Sequence, residues 1–258
     1  MIVLHNETPL VSVVMPAYNA EPFIEKSINS VLAQTVRDWE LIVIDDQSSD
    51  ATMQIVQSLA DGDERIRIIR SEQNMGTAAT RNRGMEQSRG LFVAFLDSDD
   101  IWYPRKLEKQ LQRIQSEGAE LCYCAYAMVS EGGEKCCEDF LVRPQVSLED
   151  LLTKNDIGCS TVMLSRKAAD KYRFHTEYYH EDYALWLTML RDGCKAVGVT
   201  EVLTDYLVRE DSRASNKLAG AKRRWQIYRK LMGFSLWRSG CYSAQYAMAG
   251  LKKYRKAK

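Results

Sequence analysis

Leu91-Phe92-Val93-Ala94-Phe95-Leu96-Asp97-Ser98-Asp99-Asp100 is an apolar run that stops at three carboxylates. Its continuous apolarity reads as a strand buried on both faces. Asp and Ser then favour a turn. Upstream, residues 66–69, 41–44 and 11–15 are similar runs. Pro16 closes the run at 11–15, and Asp45-Asp46 closes the one at 41–44. Helical spacing fills the gaps. Ile24, Ile28, Val31 and Leu32 predict a helix over 21–32. Ser48, Ser49 and Asp50 suit the start of a second helix reaching 59, and a third spans 77–87. Strands and helices alternating in this way predict an α/β fold, with a mostly parallel sheet flanked by helices. Ligands of such sheets bind beyond the carboxyl ends of the strands. That rule gathers Pro16-Ala17-Tyr18-Asn19, Asp45-Asp46 and residues 97–100 on one rim.

Downstream, Pro104 suits the first turn of a helix reaching Glu117. Residues 121–129 and 161–164 read as strands, and 183–190 as a helix. Residues 131–145, with Gly132, Gly133 and Pro144, read as a mobile loop. Residues 195–199 and 202–208 read as two late strands.

The 258 residues carry no net charge, but the charges are segregated. Residues 1–211 hold all 35 acids and 22 of the 35 basic side chains, so they carry −13, and the last 47 residues carry +13. Body and tail therefore suit different partners. A mostly acidic body disfavours nucleic-acid binding. The seven cysteines are odd in number and never spaced CxxC, which suggests neither a disulfide framework nor a zinc site. No run approaches the ~18 apolar residues of a membrane span, and residues 1–10 lack a secretory pattern. A cytoplasmic protein is the expectation.

Three acids on one turn repel one another. A divalent cation such as Mn²⁺ or Mg²⁺, shared with a phosphate substrate, would relieve that repulsion. The plainer alternative is a capping turn. No glycine-rich phosphate loop follows the first strand, so a diphosphate would need metal and basic side chains.

Four segments together resemble glycosyltransferase family 2 in its GT-A fold, a Rossmann-like arrangement. They are Val11-Ser12-Val13-Val14-Met15-Pro16-Ala17-Tyr18-Asn19, Trp39-Glu40-Leu41-Ile42-Val43-Ile44-Asp45-Asp46, Asn74-Met75-Gly76 with Arg81-Asn82, and Phe95-Leu96-Asp97-Ser98-Asp99-Asp100. A looser match continues through His180-Glu181-Asp182-Tyr183-Ala184-Leu185-Trp186. The likeness is to bacterial enzymes of surface polysaccharides, of the teichuronic acid and O-antigen kind.

The resemblance implies a nucleotide-sugar half over 1–105 and an acceptor half over 106–216. Pro16, Ala17, Tyr18, Asn19 and Asp46 would hold the nucleotide. Asp97 and Ser98 would lie at the ribose and metal region, and Asp99 at the metal end of the DxD motif. Arg81 and Arg209 would lie near the donor. Asp182 would be the catalytic base, with Glu181 as its rival. The implied activity is inverting, metal-dependent transfer from a nucleotide sugar, with UDP as the expected carrier, to a saccharide acceptor carried on a lipid. A nucleotidyltransferase and a catalytically silent binding subunit are the alternatives.

Residues 217–258 mix Lys and Arg with Trp225, Tyr228, Met232 and Leu236 at helical spacing. A basic amphipathic helix of this kind suits an anionic membrane surface, and would hold the protein on the inner face of the plasma membrane. Packing against the protein's own acidic body is the alternative.

Overall fold

The computed structural model describes residues 8–208 and 217–255. Four parallel strands form one half of the sheet, in the order β3 (Ile66–Arg70), β2 (Trp39–Asp45), β1 (Val11–Ala17), β4 (Phe92–Phe95). Every residue of β2 is buried, as expected of a strand covered on both faces. The sheet continues through β8 (Met163–Ser165), β6 (Leu121–Val129), β9 (Ala196–Leu207) and β5 (Ile101–Trp102). β8 runs antiparallel to both β4 and β6, and β7 (Gln145–Val146) pairs with β9. This mixed half follows the carboxylate turn, so the turn lies where the two halves meet.

Helices α1 (Ile24–Leu32), α2 (Thr52–Gly62) and α4 (Lys106–Glu117) cover one face through Ile28, Val56 and Leu107. The other face carries α3 (Thr77–Gln87), α5 (Leu148–Thr153), α6 (Arg166–Lys171) and α7 (Glu181–Arg191). Helix α3 reaches the sheet through Gly84. A Cβ there would lie 2.4 Å from Val14 Cγ1 and 2.7 Å from Ile44 Cδ1.

The sheet corrects several expectations. The late strands are one strand, β9, whose register with β6 shifts around Ala125. Exposed Thr200 and Glu201 interrupt its apolar pattern, which is why the sequence reads as two. Residues 159–161 form a 3₁₀ turn before β8 begins at Met163. Helix α1 starts at Ile24 after a turn, and α2 at Thr52, whose N–H donates to Asp50 Oδ1 at 3.0 Å. The 131–145 segment is pinned by bridges between Tyr126 and Phe140 and between Val129 and Lys135.

The tail forms α8 (Lys217–Gln226), a π-helical turn (Ile227–Leu231) and α9 (Leu236–Arg255). The expected stripe does not lie on one face: Tyr228 is buried and Leu236 is 66% exposed. The π turn changes the helical phase, and Gly233, at φ +67°, breaks the helix. Ile227, Tyr228, Phe234 and Tyr242 join the core beside α5 and α7. Tyr228 Oη donates to Leu152 O at 2.7 Å, and Tyr242 Oη donates to Glu149 Oε1 at 2.6 Å. The tail is thus packed on its own body. No helix among the described residues is long and apolar enough to cross a membrane.

Candidate active site

A cleft of about 610 Å³ opens beyond the carboxyl ends of β1, β2 and β4. Its lining includes Pro16, Ala17, Tyr18, Asn19, Asp46, Arg81, Asp97, Ser98, Asp99, Glu181 and Asp182. The sheet therefore brings together all the predicted site residues except Arg209, which lies outside the described residues.

The rim is tied across its strands. Asn19 adopts a left-handed backbone, with φ 47°, which asparagine tolerates better than most residues. Its N–H donates to Ser48 Oγ at 3.0 Å, and its Oδ1 accepts from Ser49 N at 2.8 Å. Asp46 accepts from the N–H groups of Met75 and Gly76, each at 2.8 Å. Both oxygens of Asp46 thus fasten the entrance of α3, which carries Arg81, to the end of β2.

The carboxylate turn is fastened from four sides. Ser27 Oγ donates to Ser98 O at 2.9 Å, and Asp97 N–H donates to Ser160 Oγ at 3.0 Å. Leu207 N–H donates to Asp100 Oδ1 at 2.9 Å. Arg81 Nη2 reaches Asp97 Oδ1 at 2.5 Å. Asp100 is buried. Burial, and then the charges of Asp99 and Asp97, push its carboxyl well above the usual range. Asp100 is therefore a structural member of the turn, while Asp97 and Asp99 face the cleft.

Arg81 distinguishes the two acids at the start of α7 by pairing with one of them. Only 3% exposed, it bridges Asp97 and Glu181, the latter at 2.8 Å from Nη1. Glu181 is thus committed to a buried cation. Asp182 accepts from Tyr183 N–H at 2.6 Å through Oδ1. Its Oδ2 has no hydrogen-bond partner among the described residues. Burial, and then the charge of Glu181, raise its carboxyl to about 6, against the pull of Arg81. A carboxylate raised toward neutrality takes up protons more readily than an ordinary one.

The glycosyl transferase family 2 model matches residues 12–179, which include the rim, the carboxylate turn and the loop holding Ser160. The chain belongs to this family. TuaG of Bacillus subtilis (strain 168), a glycosyltransferase assigned to teichuronic acid biosynthesis, is 36% identical over 249 residues, covering 96% of this chain and 98% of TuaG. WfgD of Escherichia coli, a UDP-Glc:alpha-D-GlcNAc-diphosphoundecaprenol beta-1,3-glucosyltransferase, is 36% identical over 247 residues, 95% of each chain. Among solved structures, TarS residues 1–349 of S. aureus with UDP-GlcNAc gives a TM-score of 0.72 at 20% identity, over 92% of this chain and 71% of that one. The mannosyltransferase PcManGT of Pyrobaculum calidifontis, solved with GDP-Man and Mn²⁺, gives 0.72 at 17% identity, over 95% and 74%. The fold is GT-A.

Within this glycosyltransferase the structure adds residues that the sequence did not single out. Ser160 holds the Asp97 amide, and its own carbonyl accepts from Trp102 Nε1 at 2.8 Å. Tyr126, Tyr179 and Tyr206 also line the cleft, beside His180 of the segment quoted above. Their only signal in the sequence is aromatic density, which buried packing produces equally well.

Among the described residues no three His, Cys, Asp or Glu side chains gather into a metal cage. A cation bound together with a diphosphate needs only one or two carboxylates, with phosphate oxygens and water completing its shell. Asp97 and Asp99, on one turn at the cleft, are a hard-oxygen pair of the kind such a cation would need. Arg81 occupies only one oxygen of Asp97.

Proposed function

We propose that this glycosyltransferase moves a sugar, with inversion, from a UDP-sugar to a hydroxyl of a lipid-linked saccharide during synthesis of a surface polysaccharide. The observation that carries this reading is the division of labour among the acids. Arg81 engages Asp97 and Glu181, which leaves Asp182 as the acid able to take a proton. An acceptor hydroxyl is a poor nucleophile until a base removes that proton. One base and one displacement invert the anomeric carbon, through an oxocarbenium-like state like that of glycoside hydrolysis. Asp182 is the base, Arg81 holds the Asp97 turn in place, and Pro16, Tyr18 and Asp46 frame the nucleotide. Mn²⁺ or Mg²⁺ held by Asp97 and Asp99 would neutralise charge on the departing diphosphate.

The names of the relatives support the substrate classes: UDP-Glc and a diphosphoundecaprenol-linked acceptor for WfgD, and teichuronic acid biosynthesis for TuaG. The Mn²⁺ bound to PcManGT supports the cation. Work on a lipid-linked acceptor would bring the protein to the inner face of the cytoplasmic membrane. Leu236 and Trp237, 66% and 82% exposed, are the apolar side chains offered to that surface.

The test is transfer from UDP-sugars to a GlcNAc-diphospholipid in Mn²⁺. Asp182→Asn is expected to lose about 10²- to 10⁴-fold in kcat, and Asp99→Ala to lose its Mn²⁺ response. Wild-type turnover by Asp182→Asn would refute the assignment. Tight UDP-sugar binding without transfer or hydrolysis under any condition would point to a silent subunit instead.

A further inference from the structure

Two arginines of α8 stand beside the cleft with no carboxylate paired to them among the described residues. The Arg223 guanidinium lies 3.3 Å from the ring centroid of Tyr179, and the Arg224 guanidinium 3.2 Å from that of Tyr246. Tyr179 and the adjacent His180 line the cleft. Of the body's arginines, Arg65, Arg81, Arg89, Arg113 and Arg143 pair with carboxylates, while Arg37 and Arg173 donate to backbone carbonyls and Arg83 to Ser71 Oγ. Among the described residues neither Arg223 nor Arg224 pairs with a carboxylate, and Arg224 Nε is buried without an acceptor. The same two charges, after burial, push the His180 imidazole down to about 4, so it stays neutral near pH 7.

The stacking matters chemically. A guanidinium lying on an aromatic ring uses its face, while its N–H donors stay in plane at the edge. That edge is the bidentate fork that recognises phosphate. The helix is held in position as well. The π turn that continues it buries Ile227 and Tyr228, and Arg191 Nη1 donates to Leu231 O at 2.9 Å. His180 immediately precedes the Glu181-Asp182 pair. An acceptor whose hydroxyl meets Asp182 can therefore extend its reducing end toward α8. In the acceptor named for WfgD, that end carries the diphosphate directly, so a single sugar separates the accepting hydroxyl from it.

We propose that Arg223 and Arg224 bind the diphosphate of the lipid-linked acceptor. The proposal rests on the functional reading above and assigns the phosphate-bearing part of its acceptor. The donor diphosphate would lie across the cleft, at the Asp97–Asp99 turn.

The experiment is titration of the full chain, at fixed ionic strength, with three probes. They are GlcNAc linked through diphosphate to a short water-soluble prenyl chain, octyl GlcNAc without phosphate, and UDP with Mn²⁺. The double variant Arg223→Gln/Arg224→Gln is expected to bind the diphosphate probe about 10- to 100-fold more weakly, with UDP affinity and melting temperature unchanged. Arg223→Lys/Arg224→Lys keeps the charge but loses the fork, so its loss should be smaller. It serves as the readout if the glutamine variant fails to fold. Unchanged affinity for the diphosphate probe overturns the proposal. So does an equal loss of UDP binding, because the arginines would then serve the donor. Wild-type protein that binds octyl GlcNAc as well as the diphosphate probe overturns it too. Failure of the functional reading looks different: the wild type would bind neither UDP nor any UDP-sugar.

Discussion

Asp182→Asn is expected to stabilise the metal-free protein while it removes turnover. The wild-type carboxyl is raised from 3.8 to about 6 by burial and by Glu181, so the folded state holds this proton more tightly than the unfolded chain. Below the unfolded value both states are protonated and the site costs nothing. As pH rises from 3.8 toward 6 the folded state is penalised, and above that window the penalty is constant. At about 1.4 kcal/mol per pKa unit the ceiling is about 3 kcal/mol. Solvent in the cleft reduces this to about 1–3 kcal/mol. Asparagine keeps the shape and an oxygen for the Tyr183 N–H, but removes the charge. At about 2–4 °C per kcal/mol for a chain of this size, the melting temperature should rise by several degrees at neutral pH. The assay is thermal melting of both proteins in EDTA, from about pH 4 to 8 at one ionic strength. The gap between them should be small at the acid end, open through about pH 5 to 6, and stay flat above. A variant less stable than wild type at neutral pH, or a gap independent of pH, would refute the reasoning. Glu181→Gln makes the opposite control: it takes a charged partner from buried Arg81 and should destabilise.

Three further outcomes follow from the packing. Gly90→Ala places a Cβ 2.5 Å from Ser12 N and 2.8 Å from Val11 C. Backbone cannot retreat as a flexible side chain can, so urea unfolding should show a loss of about 1–3 kcal/mol. Glu40, 2% exposed, accepts from Ser12 Oγ and pairs with Arg67 and Arg89. Burial raises its carboxyl, but these hydrogen bonds outweigh burial and leave it lowered from 4.5. Its contribution is therefore present above pH 4.5 and lost as pH falls below it. Glu40→Gln should cost about 3 kcal/mol at neutral pH by chemical denaturation, with the deficit shrinking in acid. Leu236→Ser/Trp237→Ser should reduce flotation of the full chain with anionic liposomes and leave its melting temperature unchanged. Equal flotation of the two proteins would remove these side chains from the proposed membrane contact.

The parallel half of the fold was legible because burial on both faces forces a strand to be continuously apolar. Val13 to Met15 and Leu41 to Ile44 carry that pattern, preceded by buried Ser12 and Glu40. The rim was legible for a related reason: an apolar strand that ends in acids leaves them at the sheet's carboxyl edge. The mixed half was harder to read. β5 is two residues long and pairs with β9 about a hundred positions away, so no local period marks it. The bulge in β9 interrupts the alternation that a strand reader follows. In the tail, the π turn and Gly233 break the helical phase, so a stripe counted at constant spacing mixes buried Tyr228 with exposed Leu236.

The identity of the candidate base shows where sequence reasoning reaches its limit. Glu181 and Asp182 are neighbours of the same charge, and composition treats them alike. What separates them is a guanidinium supplied from α3, a hundred positions earlier in the chain, that contacts one and also grips the DxD turn. That arrangement depends on two anchors. Asp46 fastens the start of α3 to β2, and Gly84 lets α3 sit tightly on the sheet. A shift of α3 by a fraction of an ångström would release Glu181 from Arg81 and leave two equivalent acids facing the acceptor. Gly84→Ala therefore tests whether the pairing sets the roles. Its Cβ meets the buried, β-branched side chains of Val14 and Ile44 rather than backbone, so α3 should be pushed outward at a cost in stability that a melting curve checks first. The expected result is a fall in kcat larger than the fall in UDP affinity, accompanied by a steeper loss of activity in the added presence of Glu181→Gln than the two single changes predict. Simple additivity of the two changes would mean that Arg81 does not govern which acid serves as the base.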